Sequence, residues 1–213
     1  MPTERFYRLP KMKADTIRRA AIEEFKRIPP EEASINRIIQ AAEISRGSFY
    51  TYFEDKYDLL KWVIGDFIGD YRKFYITGLK ANGGNLWELF DQVLEHTIHW
   101  VDEQGLVEIV GNMMKGTFFV EHMNDTSGHK CEMEKENSSY AETIYKLVNP
   151  DCCALDFEEF QELLNMHVAA LVVALKKLFG DRLNPKEVQD TYRRRMKLLR
   201  YGACPGREQD EIE

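Results

Sequence analysis

No apolar run in the chain is long enough for a bilayer. The longest, "LLNMHVAALVVAL" (163–175), has thirteen residues and contains Asn165 and His167, whereas a spanning helix needs roughly 20 apolar residues. The start, "MPTERFYRLPKMK", has neither the hydrophobic segment nor the small-residue cleavage site of a secretory signal. The expectation is a cytoplasmic protein with no membrane partner. The four cysteines, Cys131, Cys152, Cys153 and Cys204, form no CxxC pair. Adjacent Cys152 and Cys153 are poorly placed to bridge each other. Four reduced thiols are the favoured reading, and a redox sensor at Cys152–Cys153 the weaker one. No Gly-rich phosphate loop, GxSxG elbow or HExxH is present, so no catalytic residue and no cofactor is assigned. His96 and His99 are i, i+3, and Glu121, His122, His129 and Cys131 lie close in sequence. None of these has a strong zinc spacing, so no metal is expected. Sustained alternation of apolar and polar residues is missing as well, which argues against strands.

What is present is helical periodicity over most of the length, with hydrophobic residues at 44% and enough aromatics (12%) for a sizeable core. Net charge is -7, unevenly spread. Residues 1–56 carry 11 Lys/Arg against 9 Asp/Glu, and the remainder 18 against 27. A slightly basic head on an acidic chain suits a polyanion contact at one end. The spacing predicts a helix from Lys13 to Arg27, with Ile17, Ala20, Ala21 and Phe25 on one stripe. Pro29 and Pro30 stop it. Ser34 then caps a short helix that buries Ile35, Ile38, Ile39 and Ala42, and Ser45 caps a third. Two short helices joined by a tight turn, behind a supporting helix, form a helix-turn-helix.

The third helix opens "SRGSFYTYFEDK" (45–56). Phe49 and Phe53 are four apart and share a core-facing side; Arg46, Gly47 and Tyr50 lie opposite, flanked by Ser48 and Thr51. Gly47 lets a phosphate or base edge approach the backbone, and the free N–H groups at a helix start favour anions. Tyr50 and Tyr52 offer hydroxyls, and Lys56 a cation.

The stretch "SINRIIQAAEISRGSFYTYFEDKYDLL" (34–60) resembles the N-terminal domain of TetR-family transcriptional regulators, over about residues 12–62. The resemblance implies DNA contacts from Ser34, Asn36 and Arg37, from Arg46, Gly47, Ser48, Tyr50 and Tyr52, and from Lys56. Three departures stand out: Glu43 replaces the usual turn glycine, Ile39 the usual alanine, and Pro29–Pro30 the glycine after the first helix. A non-glycine residue in a left-handed turn costs about 1 kcal/mol.

The expected division is a helix-turn-helix domain at 1–56 and a larger helical effector-binding and dimerisation domain at 57–213, joined by one continuous helix over 58–79. Further helices are expected at 86–104, 106–123, 140–148, 155–181 and 184–199. The resemblance implies a small-molecule effector pocket in the second part, with Trp62, Phe67, Tyr71, Phe90, His96, Trp100, Met113 and Phe118 as candidates; core packing is the alternative for each. The 163–175 segment is apolar nearly all round, so one face needs a second cover. In the family resembled, the last two helices form a bundle across a two-fold axis. The candidate homodimer contacts are Leu164, His167, Leu171, Leu175, Tyr192 and Leu199. The reading is an all-α, ligand-responsive repressor that binds double-stranded DNA as a homodimer on a pseudo-palindromic operator. The alternative is an all-α ligand-binding or enzymatic protein whose head makes protein contacts.

Overall fold

The computed structural model describes residues 2–115 and 139–202, with the backbone alone at 66–68. Every regular element among these residues is helical. In chain order they are α1 (Glu4–Tyr7), α2 (Lys11–Arg27), a 3₁₀ turn (Pro30–Glu32), α3 (Ile35–Ala41), α4 (Arg46–Tyr52), α5 (Lys56–Val63), α6 (Gly65–Ala81), α7 (Leu86–Glu103), α8 (Val107–Lys115), a helical stretch at 139–145 (α9), α10 (Phe157–Leu175), a π-helical turn (Lys176–Gly180) and α11 (Pro185–Tyr201). They fall into two compact units. Among the described residues the first comprises 2–71, 101–115 and 179–181, and the second 72–100, 139–178 and 182–202.

In the first unit α2 buries the stripe read from its spacing, Ile17, Ala20, Ala21 and Phe25. The side chain of Ser34 accepts the Arg37 N–H at 3.4 Å and that of Ser45 the Ser48 N–H at 3.0 Å, so both serines start their helices as expected. Ile38, Phe49 and Phe53 have no exposed surface, and each such side chain contributes about 1.5–3 kcal/mol of apolar burial. Glu43 sits in the turn between α3 and α4 at φ 51, where a side chain costs roughly 1–2 kcal/mol.

Two elements differ from the sequence reading. The expected single helix over 58–79 is broken: α5 ends at Val63 and α6 starts at Gly65, with Ile64 between them at φ -93, ψ 3. Gly65 is the poorest helix former after proline and weakens continuity there. The second difference is α1, which no periodicity announces. It is held at the end of α4, where Thr3 donates its N–H to Tyr52 O at 3.0 Å and its hydroxyl to Thr51 O at 2.8 Å.

Proline ends α2 but also leaves a debt. A carbonyl in a helix is satisfied by the N–H four residues on. For Phe25 and Lys26 those positions are Pro29 and Pro30, which have no N–H. The side-chain amide of Asn112, on α8, donates to both carbonyls, at 3.0 and 2.8 Å. α8 also leaves room for Phe179: a β-carbon on Gly111 would lie 2.7 Å from the Phe179 carbonyl oxygen.

In the second unit a buried polar group, His167, is fully enclosed on α10. Tyr192 Oη donates to Phe90 O at 3.1 Å, so it accepts from His167 Nε2 at 2.7 Å. His167 Nδ1 then carries no proton and accepts from Tyr75 Oη at 3.0 Å. All of these groups are satisfied with the imidazole neutral, as burial demands. Phe90 stacks on the imidazole at 3.8 Å. Asp156 and Glu159 form a reciprocal cap at the start of α10. The sequence reading of the 163–175 run as too short for a bilayer needs correcting on length: counting the π-helical turn, the helix over Phe157–Gly180 is long and apolar enough to cross a membrane on length and composition alone; here it carries His167 into the interior of a folded unit.

Two outcomes are expected. Asn112→Ala leaves two carbonyls unsatisfied and lowers unfolding free energy by about 2–4 kcal/mol, measured as a shift in the urea midpoint. Burial pushes His167 down to about 3 from an ordinary 6.5. Across that window the unfolded chain binds a proton that the folded chain refuses, so stability rises with pH and falls on acidification, by about 1.4 kcal/mol per unit. His167→Gln should flatten the dependence of unfolding free energy on pH; an unchanged slope would show that another group carries it.

Candidate nucleic-acid interface

The exposed side of α4 is organised by a few short contacts. Arg46 donates from Nη1 to Asn36 Oδ1 at 3.0 Å and approaches Tyr50 Oη through Nη2 at 3.5 Å. Its guanidinium carbon lies 5.7 Å from the centre of the Tyr50 ring. An amide on α3 and a phenol one turn along α4 thus hold a flexible cation, so less side-chain entropy remains to be lost on binding. Tyr50 is 47% exposed, while its neighbour Phe49 is wholly buried.

Gly47 is informative because nothing among the described residues requires it. Its φ lies outside the left-handed region, and a β-carbon would meet only Ser45 Oγ, at 3.8 Å. Ser48 Oγ lies 2.9 Å from Ser45 Oγ, and Thr51 Oγ1 donates to Gly47 O at 2.9 Å. Tyr52 is half-buried, its ring against Phe6.

Lys56 is tied in more than its sequence context suggests. Its ammonium donates to Glu31 O and Ala33 O, around the 3₁₀ turn. Arg37 gives its Nε to Glu24 Oε2 at 3.1 Å and stays 62% exposed. A groove of about 340 Å³ brings Ser34, Asn36, Arg46 and Lys56 together with Asp55. The Asp55 carboxylate is occupied as the cap of α5, accepting from Tyr57 and Asp58 N–H.

Sequence reasoning missed Glu24, which underlies this face from inside. Its side chain is 4% exposed. Oε1 accepts from the Ser34 N–H at 2.9 Å and Arg27 Nη2 at 2.8 Å; Oε2 accepts from Arg27 Nε and Arg37 Nε, both at 3.1 Å. Hydrogen bonding from Arg27 holds the carboxyl below its ordinary value against the opposing effect of burial, with Ser34 adding to the lowering. A Glu in the last turn of a helix, ten residues before an N-cap serine, is the only signal the sequence offered.

The effector-pocket candidates are divided. Trp62, Tyr71 and Met113 belong to the first unit; Phe90, His96 and Trp100 belong to the second. Trp62 meets Phe6 edge-on at 4.7 Å and Phe53 at a tilt at 6.0 Å, with Arg18 over its ring, so this half-buried side chain packs within the head. Phe90 packs on His167 and His96 stacks on Phe74 at 3.8 Å. The Phe67 side chain and Phe118 lie outside the described residues, as do Cys131, Cys204 and the Glu121–Cys131 group. Of the candidate dimer contacts, His167, Leu171, Leu175 and Tyr192 are buried, while Leu164 and Leu199 are half-buried. The large apolar side chains exposed on these two helices are Met166 and Val173 on α10 and Leu198 and Tyr201 on α11. The Cys152 and Cys153 thiols are free and half-buried, and burial pushes Cys153 up, away from a reactive thiolate.

Two family models match the chain: "Bacterial regulatory proteins, tetR family" over residues 17–63, and "Tetracyclin repressor-like, C-terminal domain" over residues 85–203. Among solved structures it is similar to a putative TetR-family transcriptional regulator from Syntrophomonas wolfei str. Goettingen, at 18% identity and TM-score 0.53, covering 91% of this chain and 97% of that one; the likeness is one of fold. A TetR family transcriptional regulator from Chloroflexus aurantiacus J-10-fl matches at 20% identity and TM-score 0.49, covering 95% and 98%. No curated protein matches the chain.

Glu24→Ala removes the acceptor for four donor contacts at once and should cost about 2–4 kcal/mol in urea unfolding. Glu23→Ala, on the exposed side of the same turn, should change it by less than about 0.5 kcal/mol.

Proposed function

The chain belongs to the TetR family of bacterial regulatory proteins, DNA-binding regulators of transcription, and on that premise we propose that it is a ligand-responsive repressor acting in the cytoplasm as a homodimer on a pseudo-palindromic operator. The observation that carries the DNA-reading part is the exposed Arg46, braced by Asn36 and Tyr50 beside a glycine that the protein itself has no use for. Arg46 reads a base edge in the major groove, with guanine O6 and N7 as the natural acceptors. The bare backbone at Gly47 lets the helix start close on the DNA. Tyr50 and Asn36 hold the guanidinium and add contacts of their own. Ser34, Arg37, Ser48, Tyr52 and Lys56 set position on phosphates.

The homodimer reading rests on α10 and α11, which leave Met166, Val173, Leu198 and Tyr201 exposed. A second copy covers this apolar surface, and two-fold pairing gives two heads for two half-sites. The response to a ligand is supported by the region that the C-terminal family model matches, 85–203. Within it Asn112 holds the end of α2, the same turn whose Glu24 braces Arg37 and Ser34. Moving α8 would therefore disturb the seat of α3. An effector shifts the protein only by the difference in its affinity for the two arrangements.

The test is nuclease protection of an inverted repeat in the DNA upstream of the gene, at physiological salt. Arg46→Ala should lose about 1–3 kcal/mol of binding to that site and much less on random duplex. Lys56→Ala should weaken both alike and flatten the salt dependence. Equal losses for Arg46→Ala on both duplexes would end the base-reading role.

A further inference from the structure

The segment ahead of α2 is fastened to the reading helix. Thr3 supplies two hydrogen bonds to the last carbonyls of α4, and Phe6, 3% exposed, lies among Tyr52, Phe53 and Trp62 at ring distances of 4.7 to 6.0 Å. Thr3 and Phe6 thereby account for why α1 stays in place. They do not account for the charges it carries. Among the first thirteen residues Arg5, Arg8, Lys11 and Lys13 are basic and Glu4 alone is acidic. All four cations are exposed, with Tyr7 at 61% and Met12 at 80% beside them. Arg8 pairs with Glu4 at 3.2 Å, but both side chains are open to water, at 78% and 90%. A pair so exposed contributes little and yields readily to a stronger anion.

Position gives these charges a purpose. The anchor points, Thr51 and Tyr52, are at the end of α4 opposite Arg46 and Gly47; at 1.5 Å per residue, about 7–8 Å of rise separates Gly47 from Tyr52. In a helix-turn-helix the N-terminal residues of the reading helix meet base edges, so its other end lies towards the sugar-phosphate wall of the groove. We propose that α1 is a second DNA-contacting element, whose Arg5 and Arg8 neutralise phosphates flanking the base pairs that α4 reads. This rests on the DNA-binding reading above and extends the contact surface to residues ahead of α2. Phosphates, not bases, are the partner, so the contribution is independent of sequence and sensitive to salt.

The experiment uses the full-length protein and its Arg5→Gln/Arg8→Gln variant, which leaves Thr3 and Phe6 untouched. Affinity is measured against salt on duplex DNA from upstream of the gene and on random-sequence duplex of equal length. A matching melting temperature confirms that the variant is folded; Arg5→Lys/Arg8→Lys, which keeps the charge, should retain most of the affinity. The expected result is a loss of about tenfold or more on both duplexes at low salt, with the log–log salt slope shallower by about three to four, from two cations lost on each head of the dimer. Unchanged affinity and slope, with wild type still binding the upstream duplex, would overturn the role of α1 and leave the regulator reading standing. A loss confined to the upstream duplex would overturn the phosphate assignment. Failure of wild-type protein to prefer the upstream duplex, at any salt, would remove both.

Discussion

A buried carboxylate with all its lone pairs engaged holds the head together. Glu24 closes the last turn of α2, fastens the start of α3 through the Ser34 N–H and grips Arg27 and Arg37. Taken out of water alone, a carboxylate costs several kcal/mol; surrounded by donors, it becomes a point of order. The same turn needs a second fastening. Pro29 and Pro30 end α2 and strand the carbonyls of Phe25 and Lys26, and Asn112 answers with both hydrogens of one amide. The helix end that sets the angle of the α3–α4 pair is thus specified from two sides, by groups far apart in sequence.

The second unit solves the same problem without charge. Tyr75, His167, Tyr192 and the Phe90 carbonyl form one hydrogen-bonded line in which every donor direction follows from the last acceptor. With the imidazole neutral one tautomer satisfies it, and burial, not the hydrogen-bond partners, is what opposes protonation. Such a network fixes the register of α6, α7, α10 and α11 against one another more sharply than apolar packing does, since leucines tolerate sliding and a broken polar line does not.

How much of this the sequence could tell depended on whether a residue's partner was near it in the chain. Ser34 and Ser45 announce their helices because a cap acts within three residues, and Phe49 with Phe53 shows the inward side of α4 because the period is local. Arg46, Gly47 and Tyr50 stood out as exposed for the same reason. Beyond Arg27, Glu24 finds its partners 10 and 13 residues on, and those of Asn112 and His167 lie 25 to 92 residues away, so little that is local marks them. α1 has only Phe6 to bury, too few apolar residues for a period. The break at Ile64 hides because the apolar pattern continues across it. Around 163–175 the helix is apolar on all sides, so its sequence carries no phase. Tyr192 and His167, candidates for partner contacts by sequence, are buried, whereas Met166 and Val173 are exposed.

Glu43 occupies a backbone conformation that most side chains avoid. The turn it sits in is kept by the packing of Ile38 and Phe49 on either side, not by its own preference, so the position filters on shape instead of polarity. Isoleucine, valine or threonine there would crowd the chain however well their chemistry suited the surface, whereas asparagine or glycine would enter without resistance. Over evolutionary drift, this site is open to change along a narrow lane set by a torsion angle.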